Sequence, residues 1–454
     1  MTAAENLLVI SDLHLGESLR AEAATDRALG TDEALVSFLE HHASTREDGR
    51  PWHLVINGDM VDFVAVRLMP DEAGVITGLY SSEHHYGLGE SECGALAKMA
   101  RVLTHHRAVF VAMARFVGVG NKLSVVIGNH DAAFHWPEVQ DLFRHALGSY
   151  WRATGASGTE VQGVVDRVTF HPWFWWEPGV AWVEHGHQFD PYNSFEDVLA
   201  PATNERVLDE NVGGALMHYI GNHYCQDMES LWGRGFFGYL QFWVDQGVDR
   251  AAGILGAYRD MVSRLVLSWW RRRPERIAAR RERNRQRLER VARRARLPVE
   301  VLLRLRSLHL RPAIADVHDL TRAVMLDRLM LALAIPAVGV ALLLWSPPPL
   351  LGALVAGGVL GPMTALAARP RDPVDPNAAM RRVALVIRRI VRVPIVVFGH
   401  SHQPVAAHGD GYFNTGSWVQ PGEGPAFTHL RVLRRANGVQ AVLSQWRVRP
   451  SAQP

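Results

Sequence analysis

Five short apolar runs, each ending abruptly in polar side chains, set the rhythm of this chain. Leu7 to Ile10 gives way to Ser11, Asp12, Leu13 and His14, and His53 to Ile56 to Asn57, Gly58 and Asp59. Leu123 to Ile127 leads to Gly128, Asn129, His130 and Asp131, and Val180 to Val183 to Glu184, His185, Gly186 and His187. Ile395 to Phe398 ends in Gly399, His400, Ser401 and His402. Short runs rich in Val and Ile, with glycine close behind, read as buried strands. In α/β folds, sites form beyond the carboxyl ends of such strands. Helical periodicity from Asp32 to His41 and from Gly94 to Val117 separates the early runs, so strand and helix alternate and the fold class is α/β. Near the other end, Thr428 to Leu433 and Val439 to Trp446 flank Asn437-Gly438, which predicts a hairpin.

Residues 191 to 390 break this rhythm. The stretch reads as helical throughout, with an aromatic part from Leu231 to Trp243, an Arg-rich run at 271–296 and two long apolar segments. Strand-ending motifs resume only at Gly399. The expected organisation is one discontinuous domain, 1–190 and 391–454, interrupted by a helical insertion at 191–390.

The apolar segments change the picture further. Leu329 to Trp345 and Leu350 to Ala368 carry no charge, and Ser346 to Pro349 separates them. At 1.5 Å per residue they give roughly 26 and 28 Å of helix, close to the ~30 Å hydrocarbon core of a bilayer. Arg328 precedes the pair and Arg369 and Arg371 follow it, which suits a hairpin at 329–368 with both ends on the cytoplasmic side. Gly357 and Gly361 would let two helices approach closely. The bland alternative is a buried hairpin in a soluble assembly.

Charge balance is near neutral, +2, yet 271–296 holds thirteen Arg and three Glu. That run would rest on anionic head groups, or is simply a solvated helix. Two cysteines, Cys93 and Cys225, exclude a disulfide framework or a cysteine metal cluster. The first residues run into a strand without a basic region or cleavage site, so no signal peptide is expected.

The 22 histidines carry the chemistry. Candidate metal ligands in order are Asp12, His14, Asp59, Asn129, His185, His400 and His402. Asp12 and His14 stand two apart on an extended turn, and His400 and His402 repeat that spacing. Asp59 has two oxygens with which to bridge two cations. Mixed imidazole, carboxylate and amide donors suit two divalent ions such as Mn, Fe or Zn. His187 rivals His185, which is preferred because it lies directly beyond the strand. Gly221-Asn222-His223 repeats the Gly-Asn-His string but lacks a strand before it. His135, His171 and His218 read as ordinary packed or surface residues, and Trp173 to Trp176 as core or rim.

Asp12-Leu-His14, Gly58-Asp-Met-Val-Asp62, Gly128-Asn-His-Asp131, His185-Gly-His187 and Gly399-His-Ser-His402 resemble, in order, the signature of the calcineurin-like metallophosphoesterases. Tyr412 to Trp418 is similar to the segment after that family's last His pair. The resemblance covers about 1–190 and 391–454. It implies a four-layer sandwich, two mixed β-sheets flanked by helices. It implies that Asp12, His14 and His402 hold one metal, Asn129, His185 and His400 the other, and that Asp59 bridges them. A hydroxide between the metals would attack phosphorus, with His130 as general acid and Asp62 orienting it.

The function this implies is hydrolysis of phosphomonoesters or phosphodiesters at the cytoplasmic face of the cell membrane, and a lipid-linked phosphate-ester substrate would explain the apolar hairpin. The UDP-2,3-diacylglucosamine pyrophosphohydrolases are distantly similar, but an Arg follows the Asn of their third motif where this chain has His130. A nuclease of the same fold, using the Arg run, is an alternative, against which the apolar hairpin argues, so nucleic acid is not the expected partner. A non-catalytic metal-binding scaffold is the third reading.

Overall fold

The computed structural model describes residues 4–19, 26–75, 78–199, 201, 207–224, 248–270, 274–345, 348–368, 376–419 and 426–447. The aromatic stretch Leu231 to Trp243, Cys225 and the flanking Arg369 and Arg371 lie outside the described residues. The chain divides into two compact units. The first comprises 1–209, 273–311 and 376–454, and the second 210–272 and 312–375.

The first unit is α/β, with two mixed sheets. Its strands are β1 (Asn6–Ile10), β2 (Trp52–Asn57), β3 (Lys122–Val126), β4 (Val168–His171), β5 (Phe174–Glu177), β6 (Ala181–Glu184), β7 (Ile395–Phe398), β8 (Val405–Ala407), β9 (Tyr412–Asn414), β10 (Thr428–Arg435) and β11 (Gly438–Gln445). One sheet has the order β11-β10-β1-β2-β3-β4, the other β5-β6-β7-β9-β8. β1 to β4 run parallel in register, Leu8 opposite Leu54 and Leu54 opposite Leu123. β6, β7 and β9 are likewise parallel. All five motif-bearing strands are therefore central, and within each sheet their carboxyl ends share an edge.

Strand alternation explains why the runs are apolar on both faces. Leu7, Val9, Val55 and Val126 join Trp175, Val183, Ile395 and Val397 of the other sheet in one apolar cluster. Leu8, Ile10, Leu54 and Ile56 face the helices instead, packing with Phe38, Phe110 and Phe143. Those helices are α1 (Asp26–Ser44), α2 (Glu92–His105), α3 (Arg107–Gly118) and α4 (Pro137–Arg152). α4 shows the helical period plainly, burying Val139, Phe143 and Leu147.

The single helix expected from Gly94 to Val117 is two helices, broken at His106 (φ −97°, ψ 33°). The buried imidazole explains the break. Its Nδ1 donates to Asp32 at 2.8 Å, and its Nε2 accepts Gly16 N–H at 3.0 Å. The hairpin forms as expected, but Arg435 pairs with Gly438, so Ala436 and Asn437 make the turn and Gly438 (φ +127°) opens β11.

The Arg-rich run differs from its expected grouping with the apolar hairpin. It is the helix Pro274–Ala295, and it belongs to the first unit. Leu288 and Ala292 lie four apart and bury against Trp173, Trp182 and Phe398, with Leu302 and Leu305 of the next helix. Arg281, Arg283 and Arg285 stay exposed. The helix Pro376–Val391 joins the same core through Met380, Ala384 and Ile387.

The second unit is helical. Helix Val248–Trp270 buries Ile254, Ala257, Met261 and Leu265, one helical stripe. Tyr258 donates to the Val324 carbonyl at 2.7 Å. Leu326–Trp345, with Pro336 inside it, packs along the helical stretch 349–368, and Arg328 donates to the Leu366 carbonyl. Gly221, Asn222 and His223 fall in helical turns of this unit, not behind a strand.

Candidate metal centre

The loops after β1 and β2 stay bonded side by side. Asp12 N–H donates to Gly58 O (3.1 Å), His14 N–H to Asp59 O (2.9 Å) and Asp62 N–H to Leu15 O (2.9 Å). This ladder sets Asp12 and His14 against Asp59 and Asp62. On the far side, Ser417 Oγ and Trp418 N–H both hold the Asp12 carbonyl, at 3.1 and 3.0 Å. Among the described residues ten non-glycines have positive φ, and five are here: Asp12, His14, Asp59, His400 and His402, at +45° to +65°. Left-handed backbone is costly outside glycine and concentrates where function demands it. Two glycines permit the crowding. A Cβ on Gly58 (φ +80°) would lie 2.3 Å from His185 Nδ1, and one on Gly128 2.2 Å from Asp59 Oδ1.

The seven candidate ligand side chains converge on one largely buried cluster, with His400 and His402 at its partly exposed rim. Asp12, His14 and His402 bring one ligand atom each within 4.8 Å of one another, and so do Asp59, His185 and His400. His14 Nε2 is 3.2 Å from His402 Nε2, and His402 Nε2 is 3.3 Å from Asp12 Oδ1. Asp59 Oδ2 lies 3.1 Å from His185 Nε2 and 4.0 Å from His14 Nε2, so it faces both groups. Asn129 Oδ1 is 3.2 Å from His185 Nε2.

Each carboxylate has one oxygen pinned by backbone. Asp12 Oδ2 accepts His400 N–H at 3.1 Å, and Asp59 Oδ1 accepts His130 N–H at 2.9 Å. Asp59 therefore offers Oδ2 alone to both groups, rather than one oxygen to each. Asp12 Oδ1 is left facing His402 Nε2.

His185 is the sharpest test of what the cluster can hold. Its Nδ1 must donate to the Asn57 carbonyl (2.8 Å), so neutral His185 points an Nε2 lone pair at two acceptor oxygens. Three acceptors without a proton repel unless positive charge sits among them. Burial works against that charge on His185, but Asp59 outweighs it and raises the imidazole pKa to about 9. A divalent cation meets the same demand without a proton, and the donor set of imidazole, carboxylate and amide suits one. The buried His and Asp groups can hold metal ions.

Asp62 serves two imidazoles. Its Oδ2 accepts His14 Nδ1–H at 3.1 Å and its Oδ1 accepts His130 Nδ1–H at 2.9 Å. Burial resists ionisation of Asp62, yet His130 and His14 hold its carboxyl well below the usual range. With both Nδ1 atoms committed, each ring has only Nε2 left, and that of His14 faces His402 and Asp59.

Several residues escaped the sequence reading. Asp131 is wholly buried and staples two loops, accepting Met60 N–H at 2.8 Å and Gly128 N–H. Burial and then the neighbouring Asp59 push its pKa up to about 7. Asp190 Oδ2 lies 3.1 Å from His400 Nε2, and Asn193 bonds both Asp190 and Asn129. An Asp-Pro-Tyr-Asn turn just past the His pair was the available signal. His187 is buried with its ring 5.4 Å from His185, but its Nε2 pairs with Gln188 and it joins neither ligand group.

Comparison with known proteins returns no matching family model, no matching curated protein and no matching solved structure.

Proposed function

We propose that this chain is a metallophosphoesterase-type hydrolase that uses two divalent ions, Mn, Fe or Zn, to cleave phosphomonoesters or phosphodiesters. The observation that carries the reading is the convergence of Asp59 Oδ2 and Asn129 Oδ1 on His185 Nε2, at 3.1 and 3.2 Å. Asp12, His14 and His402 would hold one ion, Asn129, His185 and His400 the other, and Asp59 Oδ2 would reach both. Bound there, the ions would supply Lewis-acid charge to a phosphoryl group and lower the pKa of water.

The protein's own part is proton delivery and positioning. Asp62 fixes His130 through Nδ1, leaving Nε2 to carry a proton to the leaving oxygen. A non-catalytic scaffold would need the ligands but not this pair. The nuclease alternative draws on exposed Arg281, Arg283 and Arg285, and steep salt dependence of DNA binding would mark it.

The apolar hairpin supports a membrane location. Both helices are long and apolar enough to cross a bilayer. With arginines flanking them, the chain would work at the cytoplasmic membrane face, on a lipid-linked phosphate ester.

The test is Mn-dependent hydrolysis of bis-p-nitrophenyl phosphate, with the monoester as control, by detergent-extracted protein beside Asp59→Asn. Turnover lost in the variant and with chelator is expected. A metal-loaded wild type inert on both compounds would count against the hydrolase.

A further inference from the structure

We propose that Asp190 and Asn193 are positioning residues that decide which atoms two ligands of one ion present. This inference rests on the metal-centre reading above.

Both oxygens of Asp190 accept N–H donors, Oδ1 from Tyr192 and Oδ2 from Asn193. Ionised Asp190 has no proton to give. His400 Nε2 must therefore donate to Asp190 Oδ2 at 3.1 Å, and the nitrogen left for a metal is Nδ1. The same oxygen accepts Asn193 Nδ2 at 2.7 Å, which turns Asn193 Oδ1 the other way. That carbonyl oxygen accepts Asn129 Nδ2 at 3.4 Å. Asn129 in turn presents Oδ1 toward His185. Polarity thus passes from Asp190 through Asn193 to Asn129. One carboxylate sets both the tautomer of His400 and the amide face of Asn129.

The turn that carries these residues is itself closed by Asp190. Its Oδ1 accepts Tyr192 N–H at 2.9 Å, and its carbonyl accepts Ser194 N–H at 2.8 Å. The relay therefore does not depend on a freely moving loop. An Asn129 with its amide reversed would turn NH2 toward a cation, and a His400 of the other tautomer would turn N–H toward it. Both errors fall on the ion of Asn129, His185 and His400. Asp12, His14 and His402 do not contact either positioning residue through these bonds.

The prediction is selective. Mn2+ titration with equilibrium dialysis of full-length, detergent-extracted wild type should give two bound ions. Asp190→Ala and Asn193→Ala should weaken one of them about 10–100-fold, the usual cost of losing an outer hydrogen-bond partner, and leave the other unchanged. Asn193→Asp, which cannot donate to Asp190, should be at least as damaging although nearly the same size. Melting of metal-free proteins controls for folding, and Asp190→Asn stands in if Asp190→Ala fails to fold. Variants that bind both ions as wild type does, or lose both equally, would overturn the relay. Wild type that binds no Mn2+ would overturn the metal centre and the relay together.

Discussion

At the scale of single residues, Asp62 and Gly58 carry the clearest consequences. Asp62 commits His130 through Nδ1, so the imidazole cannot also turn that nitrogen to a cation. His130→Ala should therefore reduce kcat by about 10²–10⁴, the range for a lost general acid, with Mn2+ stoichiometry unchanged. Equilibrium dialysis beside steady-state kinetics checks both halves, and a loss of bound metal would make His130 a ligand instead. Gly58 fails differently. Its left-handed backbone and the 2.3 Å gap to His185 Nδ1 leave no room for a methyl group. Gly58→Ala should cost about 1–3 kcal/mol of backbone strain and more from displacing His185. Its melting temperature should fall, and its Mn2+ titration should weaken at one ion. The grouping of the seven candidate ligands was legible because their types and spacing follow strands. Asp131, Asp190 and Asn193 were not, because their roles are hydrogen bonds to residues that only folding brings near.

At the scale of elements, buried strands announced themselves as apolar runs, and all five appear within a residue or two of expectation. The break at His106 was hidden because helical periodicity continues across it, and only the tertiary bonds to Gly16 and Asp32 favour the kink. The Arg-rich helix was misgrouped for a related reason. Leu288 and Ala292 are too few among arginines to register as a core stripe. Histidines buried in elements also make stability depend on pH. His42 on α1 and His429 on β10 pack 6.2 Å apart beside Trp446. Burial lowers their pKa values to about 4 and about 3. Both lie below the unfolded value near 6.5, so the unfolded chain takes up protons first. Their stabilising effect is full above pH 6.5 and is lost as pH falls from 6.5 toward 4, at up to about 1.4 kcal/mol per pH unit each. Urea unfolding followed by tryptophan fluorescence at pH 7.5 and 5 should show the loss, and His429→Leu should flatten it. Identical midpoints at the two pH values would refute the account.

At the scale of the whole molecule, the question is what covers the apolar hairpin. Leu343 is 79% exposed and Leu344 81%, values unusual for leucine in water. Met330, Leu333, Val340, Leu343, Leu344 and Trp345 are all exposed, and at 100° per residue they spread over about 200° of the helix. A helix that docks on one partner needs an apolar stripe of only about 100°. Leu350, Leu351, Leu354 and Val359 are likewise exposed on the returning stretch. Breadth of this kind fits lipid on most sides better than a second copy on one. Purified protein should therefore float with phosphatidylglycerol-containing vesicles after detergent removal. Val340→Arg with Leu354→Arg should abolish flotation, since each arginine costs about 2.5–3.5 kcal/mol near the centre of a span. Bis-p-nitrophenyl phosphate turnover in detergent should persist, because neither residue belongs to the metal centre. Wild type that stays in solution as a dimer and ignores vesicles would assign the apolar surface to a second copy of the chain.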